Sequence, residues 1–339
     1  LKNSNEQLQL VIVKLFNACL QCGTYPWNNS ITTPLHKKGD RQNPDNYRAI
    51  TIGSCLGKLF SNLLLKRLIE FREIACPDQP YQLGFRSGAQ CNDHLLTLNT
   101  IIEKYVKKEK KRLFACFVDY RKAFDSVCRD ALLFKLGKMG LSGNFFTCIS
   151  HMYNNSTTRV KLIQKLSAAI DVTIGTEQGH PMSPELFKVY IHELSIRLEQ
   201  IEELNVPILN GIKVSHLLWA DDLVLLALDA LSLQSLLNCL HDYAEEWELS
   251  VNISKTSVMV FNTSARTLKC SYGFKLGSLD IVPVKRYCYL GIQFSLNGSF
   301  KQAIDELRKK ALRSFFSMRR IINTKALTTS TMLKLIDSL

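Results

Sequence analysis

Apolar residues recur at intervals of three and four positions in several stretches of the chain, and this spacing places them on one face of a helix. The proline of TYPWN ends the first of these stretches. Asp125 or Ser126 is the predicted N-cap of the helix that begins near Arg129, and Pro181 is predicted to start the next helix. The pattern predicts helices at 5–20, 57–72, 90–110, 231–248 and 300–320. It also predicts one helix that begins at about Arg129 and a later one that ends at about Glu203.

Shorter apolar runs bounded by turn residues predict strands. The run LFACFVDY at 113–120 ends in an acidic residue, and HLLWADDLVLLA at 216–227 holds two adjacent carboxylates between apolar halves. Further strands are predicted within 31–58, where they flank an exposed loop, in a hairpin across TTRVKLI and AAIDVTI, and at 256–262 and 286–292. No repeat or low-complexity linker interrupts the pattern, so we expect one compact α/β body.

The carboxylates in the two apolar runs need a positive partner, because a buried, unpaired carboxylate is costly or loses its charge. If the strand at 114–119 lies beside the hairpin centred on Asp221, then Asp119, Asp221 and Asp222 converge at strand ends. Oxygen ligands without nearby histidine or cysteine favour magnesium, with manganese as the alternative cation. Two such ions can clamp an in-line phosphoryl transfer. An ordinary Asp-Asp turn in a hairpin is the structural alternative.

The charge of the chain indicates a polyanionic partner. Lys and Arg total 43 against 30 Asp and Glu, which gives a formal net charge of +13 over 339 residues. Nucleic acid is the first candidate for that partner, and a membrane surface is the weaker alternative. No uncharged apolar run reaches the roughly 18 residues that a membrane span needs, so we expect no membrane insertion.

The cysteines and the first residue bear on where the protein works. The 11 cysteines are scattered, and Cys19 and Cys22 form a CxxC pair that no second pair follows at zinc-like spacing. Reduced thiols are therefore expected, which suggests the cytoplasm or the nucleus. The sequence begins at Leu1 rather than Met, so we expect it to belong to a longer polypeptide.

An ordered set of motifs resembles the reverse transcriptases of non-LTR (LINE-like) retrotransposons. The set is FVDYRKAFD, GTEQGHPMSP, WADD, NISKT and YLG, preceded by HKKGD, NYRAI and QLGFRSG. The likeness covers roughly residues 10–300. It implies a right-hand polymerase of the α/β (α+β) class, with fingers, a palm of antiparallel sheet and helices, and the start of a helical thumb. The implied bounds are 10–295 for the whole domain, about 25–112 and 128–172 for the fingers, about 113–127 and 173–295 for the palm, and 296–339 for the thumb.

The implied activity is RNA-directed DNA polymerase, which extends a DNA primer on an RNA template with deoxynucleoside triphosphates inside a longer polyprotein. Two other readings stay open: an inactive relic that binds nucleic acid, and another metal-dependent nucleotidyltransferase on a similar palm. The intact carboxylates oppose the first, and the finger motifs oppose the second. Trp219 stands where the family usually has Phe or Tyr, and His180 stands where it commonly has an acid.

The resemblance also implies residue roles. Asp119 and Asp221 match metal-binding aspartates, and Asp222 completes the set. Phe124 matches the ring that rejects a 2′-hydroxyl, with core packing as its alternative. Lys255 matches a proton donor to pyrophosphate, with a solvent-facing lysine as its alternative. The remaining matches are nucleotide contacts at Lys37 or Lys38, Arg48, Gln178 and Gly179, and a nucleic-acid contact at Arg86.

The helix predicted at 300–320 divides into an apolar face and a basic face. The apolar face holds Ile304, Leu307, Leu312 and Phe315 or Phe316, and we expect it to pack on the palm. The basic face is expected to grip the nucleic-acid backbone through Arg308, Lys309 and Arg313. A solvated helix whose charges aid solubility is the alternative.

Overall fold

The computed structural model of the protein describes residues 5–163, 165–264 and 273–321 and the single positions 328, 330, 331 and 334, with side chains to 318 in the last helix. The helices of this part are α1 (Glu6–Cys22), α2 (Cys55–Ala75), α3 (Cys91–Ile101), α4 (Arg129–Lys138), α5 (Gly143–Asn154), α6 (Ser183–Gln200), α7 (Ala230–Glu246) and α8 (Lys301–Ile321). A 3-10 turn lies at Pro44–Asn46, and a π-helical segment at Ile102–Lys108 continues α3.

The strands of the described part follow in chain order. They are β1 (Asn29–His36), β2 (Tyr47–Ile52), β3 (Leu113–Val118), β4 (Thr157–Leu162), β5 (Lys165–Leu166), β6 (Ile170–Asp171), β7 (Ile208–Leu209), β8 (Ile212–Lys213), β9 (His216–Trp219), β10 (Asp222–Ala227), β11 (Ser257–Phe261), β12 (Lys275–Leu276), β13 (Leu279–Asp280), β14 (Arg286–Tyr289) and β15 (Ile292–Ser295).

The predicted helices form, but some of their predicted ends are wrong. Helix α4 begins after Cys128, which makes no side-chain capping bond, so neither Asp125 nor Ser126 caps it. Helix α6 begins at Ser183 with Pro184 in its first turn, so Pro181 does not start it. Helix α5 was not predicted at all. None of the described helices is long and apolar enough to cross a membrane.

The centre of the molecule is a four-stranded antiparallel sheet in the order β11-β3-β10-β9. Every residue of β3 is buried, and its side chains alternate between two cores. One core includes α6 and α7, and the other includes α3 and the β14–β15 hairpin. Because both faces of the sheet are covered, its central strands are continuous apolar runs.

A second sheet has the order β2-β1-β4-β5, with β6 also paired to β4. The strands and exposed loop expected within 31–58 are β1, β2 and the segment between them, and the expected hairpin is β4 with β5 and β6. The parallel pairing of β1 with β4 was not predicted.

Helix α8 lies largely in solvent. Ala303 is buried, whereas Ile304 is 62%, Leu307 42% and Leu312 45% exposed. The expectation that this apolar face packs on the central sheet is therefore wrong, because only the first turn of the helix meets the body. Most of the predicted thumb beyond residue 321 lies outside the described residues.

Candidate active site

Three carboxylates lie at one end of the central sheet. Asp119 directly follows β3, Asp222 is the first residue of β10, and Asp221 sits in the tight turn that joins β9 to β10. Leu223 pairs with Val118, so the chains carry their aspartates out of the sheet side by side. The apolar runs deliver the acids to a strand end, as the sequence predicts.

The three carboxylates interact electrostatically. Burial raises the pKa of Asp221, the charge of Asp119 raises it further, and the guanidinium of Arg48 lowers it. Asp222 is exposed, yet partial desolvation at the strand end, followed by repulsion from Asp221 and Asp119, raises its pKa to about 6. Asp221 and Asp222 are therefore less stable in their charged forms than free carboxylates are, and a nearby cation would relieve that cost.

The donor set at this end of the sheet fits a hard divalent cation. Carboxylate oxygens are the ligands that magnesium prefers. Asp119 Oδ2 now lies 3.4 Å from Lys255 Nζ and accepts a 3.1 Å hydrogen bond from Asn252 Nδ2. Over the described ranges, no three His, Cys, Asp or Glu side chains already form a complete ligand cluster. Since Lys255 is 66% exposed, it can move away when Asp119 turns toward a cation.

The QLGFRSG segment supports the turn that carries Asp221. Leu83 N donates to Leu218 O, and Leu218 N donates to Tyr81 O, so this segment runs beside β9 as an added strand. The Gln82 side-chain oxygen accepts from the amide of Ala220, whose φ is +58°. A Cβ on Gly84 would lie 2.1 Å from that same amide nitrogen. Sequence reasoning gave this motif no supporting role, and its local signal is the glycine two positions after Gln82.

One basic residue of the second sheet acts on these carboxylates. Arg48 lies on β2, close enough to Asp221 to lower its pKa. Lys37 and Lys38 follow β1 and are both exposed, and Lys37 lowers the pKa of Asp125, a carboxylate outside the group of three. The choice between the two lysines stays a prediction.

Lys122 adds a cation that the sequence analysis missed. Its Nζ lies 2.8 Å from Asp45 Oδ1, so an ion pair joins the loop after β3 to the loop between β1 and β2. The lysine of the KAFD stretch was available in the sequence, but its partner 77 residues away was not.

A second group of predicted residues surrounds Phe124. This ring is half-buried and packs against Phe187 in a tilted arrangement, with ring centres 4.8 Å apart. Gln178 Nε2 donates to both carboxylate oxygens of Asp125, at 3.0 and 3.1 Å. Gly179 has a φ of +103°, and a Cβ there would meet Thr51 O at 3.0 Å. Phe124, Gln178 and Gly179 thus lie together next to Asp125.

His180 is accommodated where the family usually has an acid. Its Nε2 lies 3.0 Å from Ser61 Oγ, and its Nδ1 accepts a hydrogen bond from Met182 N. Burial, with a smaller contribution from Lys58, lowers its pKa to about 4, so the ring is neutral at pH 7. Trp219 also finds room, with its ring 5.9 Å from that of His94.

The remaining predicted residues stand apart from the carboxylates. Arg86 is exposed in a turn, where its amide donates to Leu83 O. The three basic residues of α8 are exposed as well, and no described interaction joins them to the site: Arg308, Lys309 and Arg313.

Comparison with known proteins identifies the family to which this arrangement belongs. The family model for "Reverse transcriptase (RNA-dependent DNA polymerase)" matches residues 35–294, a range that holds all three carboxylates. The chain belongs to the reverse transcriptase family. The matched range includes the central sheet and the turn at Asp221, and all of the second sheet except most of β1.

This reverse transcriptase domain is similar to RNA-directed DNA polymerases of non-LTR retrotransposons. It is 29% identical over 292 residues to the Pol polyprotein of the type-1 retrotransposable element R2 of Popillia japonica, covering 84% of this chain and 40% of that protein. It is 26% identical over 318 residues to the RNA-directed DNA polymerase of mobile element jockey of Drosophila funebris, covering 89% and 33%. The chain thus spans a third to two fifths of the length of these relatives.

Solved structures with a similar backbone are telomerases of Candida tropicalis. The complex with the TWJ fragment of telomeric RNA has a TM-score of 0.55 at 12% identity, covering 88% of this chain and 49% of that chain. The apo telomerase truncated from the C-terminal domain has a TM-score of 0.53 at 13% identity, covering 80% and 54%. The reverse transcriptase domain therefore has the predicted right-hand polymerase fold of mixed α/β class.

Proposed function

We propose that the chain is an active RNA-directed DNA polymerase that adds deoxynucleotides to the 3′-hydroxyl of a DNA primer on an RNA template. The observation that carries this proposal is the convergence of Asp119, Asp221 and Asp222 at one end of the central sheet, within electrostatic reach of Arg48. An inactive relic has no need to keep three mutually repelling carboxylates together.

The carboxylates would hold divalent cations, with magnesium as the proposed ion and manganese as a substitute. When bound, such ions would activate the attacking hydroxyl and neutralise the departing pyrophosphate. Asp119 would exchange its contact with Lys255 for a cation, which leaves the ammonium group free near the site. Lys255 could then give a proton to pyrophosphate.

The nucleotide would lie between the two sheets. Arg48 and Lys37 would bind the triphosphate, because its charge exceeds what metal ions alone neutralise. Phe124 would occupy the space of a 2′-hydroxyl, and Gln178 would line the pocket beside it. Gly179 would let the nucleotide approach the backbone closely.

The nucleic acid would be held by a hand of three parts. We assign the second sheet to the fingers, the central sheet to the palm, and α8 to the start of the thumb, with the bounds expected from the sequence. Arg86 would contact the nucleic acid from the fingers, and Arg308, Lys309 and Arg313 would contact it from α8.

The wider setting is also a proposal. The named relatives are longer proteins, and one of them is a polyprotein, so we propose that further domains of such a polyprotein accompany this chain. The free thiols among the described cysteines fit action in the cytoplasm or the nucleus.

A primer-extension assay with matched RNA and DNA templates tests the proposal. The purified chain should extend a DNA primer on RNA in the presence of magnesium. Asp221→Asn should lower extension by about a thousandfold or more, because cation binding supplies several kcal/mol of transition-state stabilisation. Binding of the primer-template, measured by fluorescence anisotropy, should stay within about threefold of wild type, since the carboxylate contacts no phosphate directly.

Asp242→Asn is the matched control, because Asp242 is exposed on α7 away from the site. Binding without extension on either template would show the inactive relic. Extension on DNA but never on RNA would show a different nucleotidyltransferase.

A further inference from the structure

We infer that Asp125 is a positioning residue that orients the Gln178 side chain toward the incoming nucleotide. This inference rests on the proposed function and deepens it. The two residues lie 53 positions apart and belong to different motifs, FVDYRKAFD and GTEQGHPMSP. A bond between their side chains therefore ties the two motifs together at the nucleotide pocket.

The geometry of the contact fixes one orientation of the amide. Gln178 Nε2 donates to Asp125 Oδ1 at 3.0 Å and to Oδ2 at 3.1 Å. A charged carboxylate can only accept hydrogen bonds, so Gln178 must present its NH₂ group to Asp125 and turn its carbonyl oxygen away. Without Asp125, the amide could rotate by half a turn and exchange donor for acceptor on its other side.

The surrounding backbone holds both residues in place. Gly175, four residues after β6, packs on the main chain at Asp125, where a Cβ would lie 2.6 Å from Asp125 O. Thr176 N donates to Phe124 O, and Thr51 N donates to Gln178 O. Main-chain contacts thus hold the loop of Asp125 against the loop of Gln178. The Asp125 carboxylate then sets the direction of the Gln178 side chain.

The expected structural role for Asp125 is absent. Helix α4 begins four residues after it, at Arg129, and the N-cap residue Cys128 makes no side-chain capping bond. Burial raises the pKa of Asp125, while Gln178, Lys122 and Lys37 lower it. A half-buried carboxylate is costly in a loop, and the only described hydrogen bonds that Asp125 accepts from another side chain come from Gln178.

Asp125 is not expected to contact the nucleotide itself, because a carboxylate repels a triphosphate. Its effect should pass through Gln178. This distinguishes a positioning residue from a catalytic one, and it predicts that the effect of removing Asp125 depends on whether Gln178 is present.

A double-mutant cycle tests the inference. The variants are Asp125→Ala, Gln178→Ala and the pair, with Asp242→Ala as the control, each as the full chain. Single-nucleotide addition to a primer on RNA gives kcat and KM for the deoxynucleoside triphosphate. Asp125→Ala should raise KM about tenfold, the size expected for loss of one charge-assisted hydrogen bond, and change kcat by less than about threefold.

In the Gln178→Ala background, Asp125→Ala should raise KM no further. Asp125→Asn should give a smaller rise than Asp125→Ala, since Asn retains one oxygen acceptor, and it also serves if the alanine variant melts too low to assay. Equal KM effects in both backgrounds, or an unchanged KM in Asp125→Ala, would overturn the inference while wild-type extension persists. No extension by the wild type would overturn the proposed function instead, and this inference with it.

Discussion

Desolvation of the Asp222 carboxyl, together with repulsion from Asp221 and Asp119, makes the folded state sensitive to pH when no divalent cation is added. The pKa of Asp222 is about 6 in the folded chain, against an ordinary value of 3.8. Between these values the folded state keeps a proton that the unfolded state has lost. Folding stability should therefore fall as pH rises from about 4 to about 6, and this loss persists above pH 6.

Asp222→Asn should accordingly melt above wild type at pH 7.5 in a chelator, and the difference should vanish near pH 4. The gain should be about 1 kcal/mol at most, because solvent screens this exposed side chain. Adding magnesium should reduce the difference in melting temperature between Asp222→Asn and wild type, because it should stabilise wild type alone. Thermal melts by circular dichroism measure these differences, and identical melting at pH 7.5 in a chelator would contradict the predicted repulsion.

Phe124→Ala should relax discrimination against ribonucleotides by about tenfold or more, since pocket contacts of this size contribute 10- to 200-fold, roughly, to selectivity. It should also destabilise the chain, because the ring packs against Phe187. Phe134→Ala is the matched control, since Phe134 is 62% exposed. The measurement is kcat/KM for each sugar type. A lower melting temperature with unchanged selectivity would assign Phe124 to core packing alone.

At the residue scale, the acidic side chains at a strand end could be predicted from the sequence. Side-chain contacts between loops that are distant in sequence could not. Asp221 and Asp222 stand out because acids interrupt an apolar run. Asp125 looked like a helix cap, because local spacing cannot reveal an amide 53 positions away. The same limit concealed the ion pair between Lys122 and Asp45.

The strand-like segment at Tyr81–Gly84 and the β9–β10 turn form one element in practice. The segment hydrogen-bonds to β9, and Gly84 touches the amide of Ala220 just before Asp221. Any side chain at Gly84 must displace the turn, since the obstacle is backbone. The position of the aspartate is therefore set by a segment more than 130 residues upstream.

Gly84→Ala should lower primer extension by about a hundredfold, which is the cost of roughly 1 Å of misplacement at a catalytic group. It should also destabilise the chain by about 1–3 kcal/mol through overpacking. Gly137→Ala is the control, because a Cβ at Gly137 meets nothing within 4 Å. Single-turnover extension and urea unfolding measure the two effects. Wild-type extension by Gly84→Ala would show that the turn moves freely.

The central strands and the helices other than α5 were predictable because their periodicity is local. Two features at the element scale were not. The parallel pairing of β1 with β4 joins residues such as Ile31 and Arg159, which no hydrophobic pattern connects. The exposed face of α8 looks like any core-facing stripe, because spacing predicts a face and does not identify what covers it.

For the whole molecule, the net charge of +13 should dominate binding to primer-template. The logarithm of affinity should fall linearly with the logarithm of salt concentration, with a slope of about −0.9 for each phosphate neutralised on a duplex. Replacing Arg308, Lys309 and Arg313 with Glu should make that slope shallower and shorten the products made per binding event. Single-nucleotide addition should be unchanged, since the carboxylates are untouched.

Product length under a heparin trap measures this grip, and anisotropy titrations at several salt concentrations give the slope. Reversal of Lys14 to Glu in α1 is a control for loss of positive charge elsewhere, because this residue is also exposed. Products of wild-type length at physiological salt would show that α8 does not hold nucleic acid.

The position of β3 in the middle of the central sheet has a consequence for how the chain is made. Its neighbours are β10 and β11, which lie about 100 to 150 residues further along. At about 5–20 residues per second, a ribosome needs roughly 7–30 s to deliver both. During that interval LFACFV is an unpaired apolar strand in a nascent chain, so a chaperone binding site is expected there. A ribosome that stops before Phe261 releases a product with an incomplete β11, so Asp119 lies at the end of an incomplete central sheet.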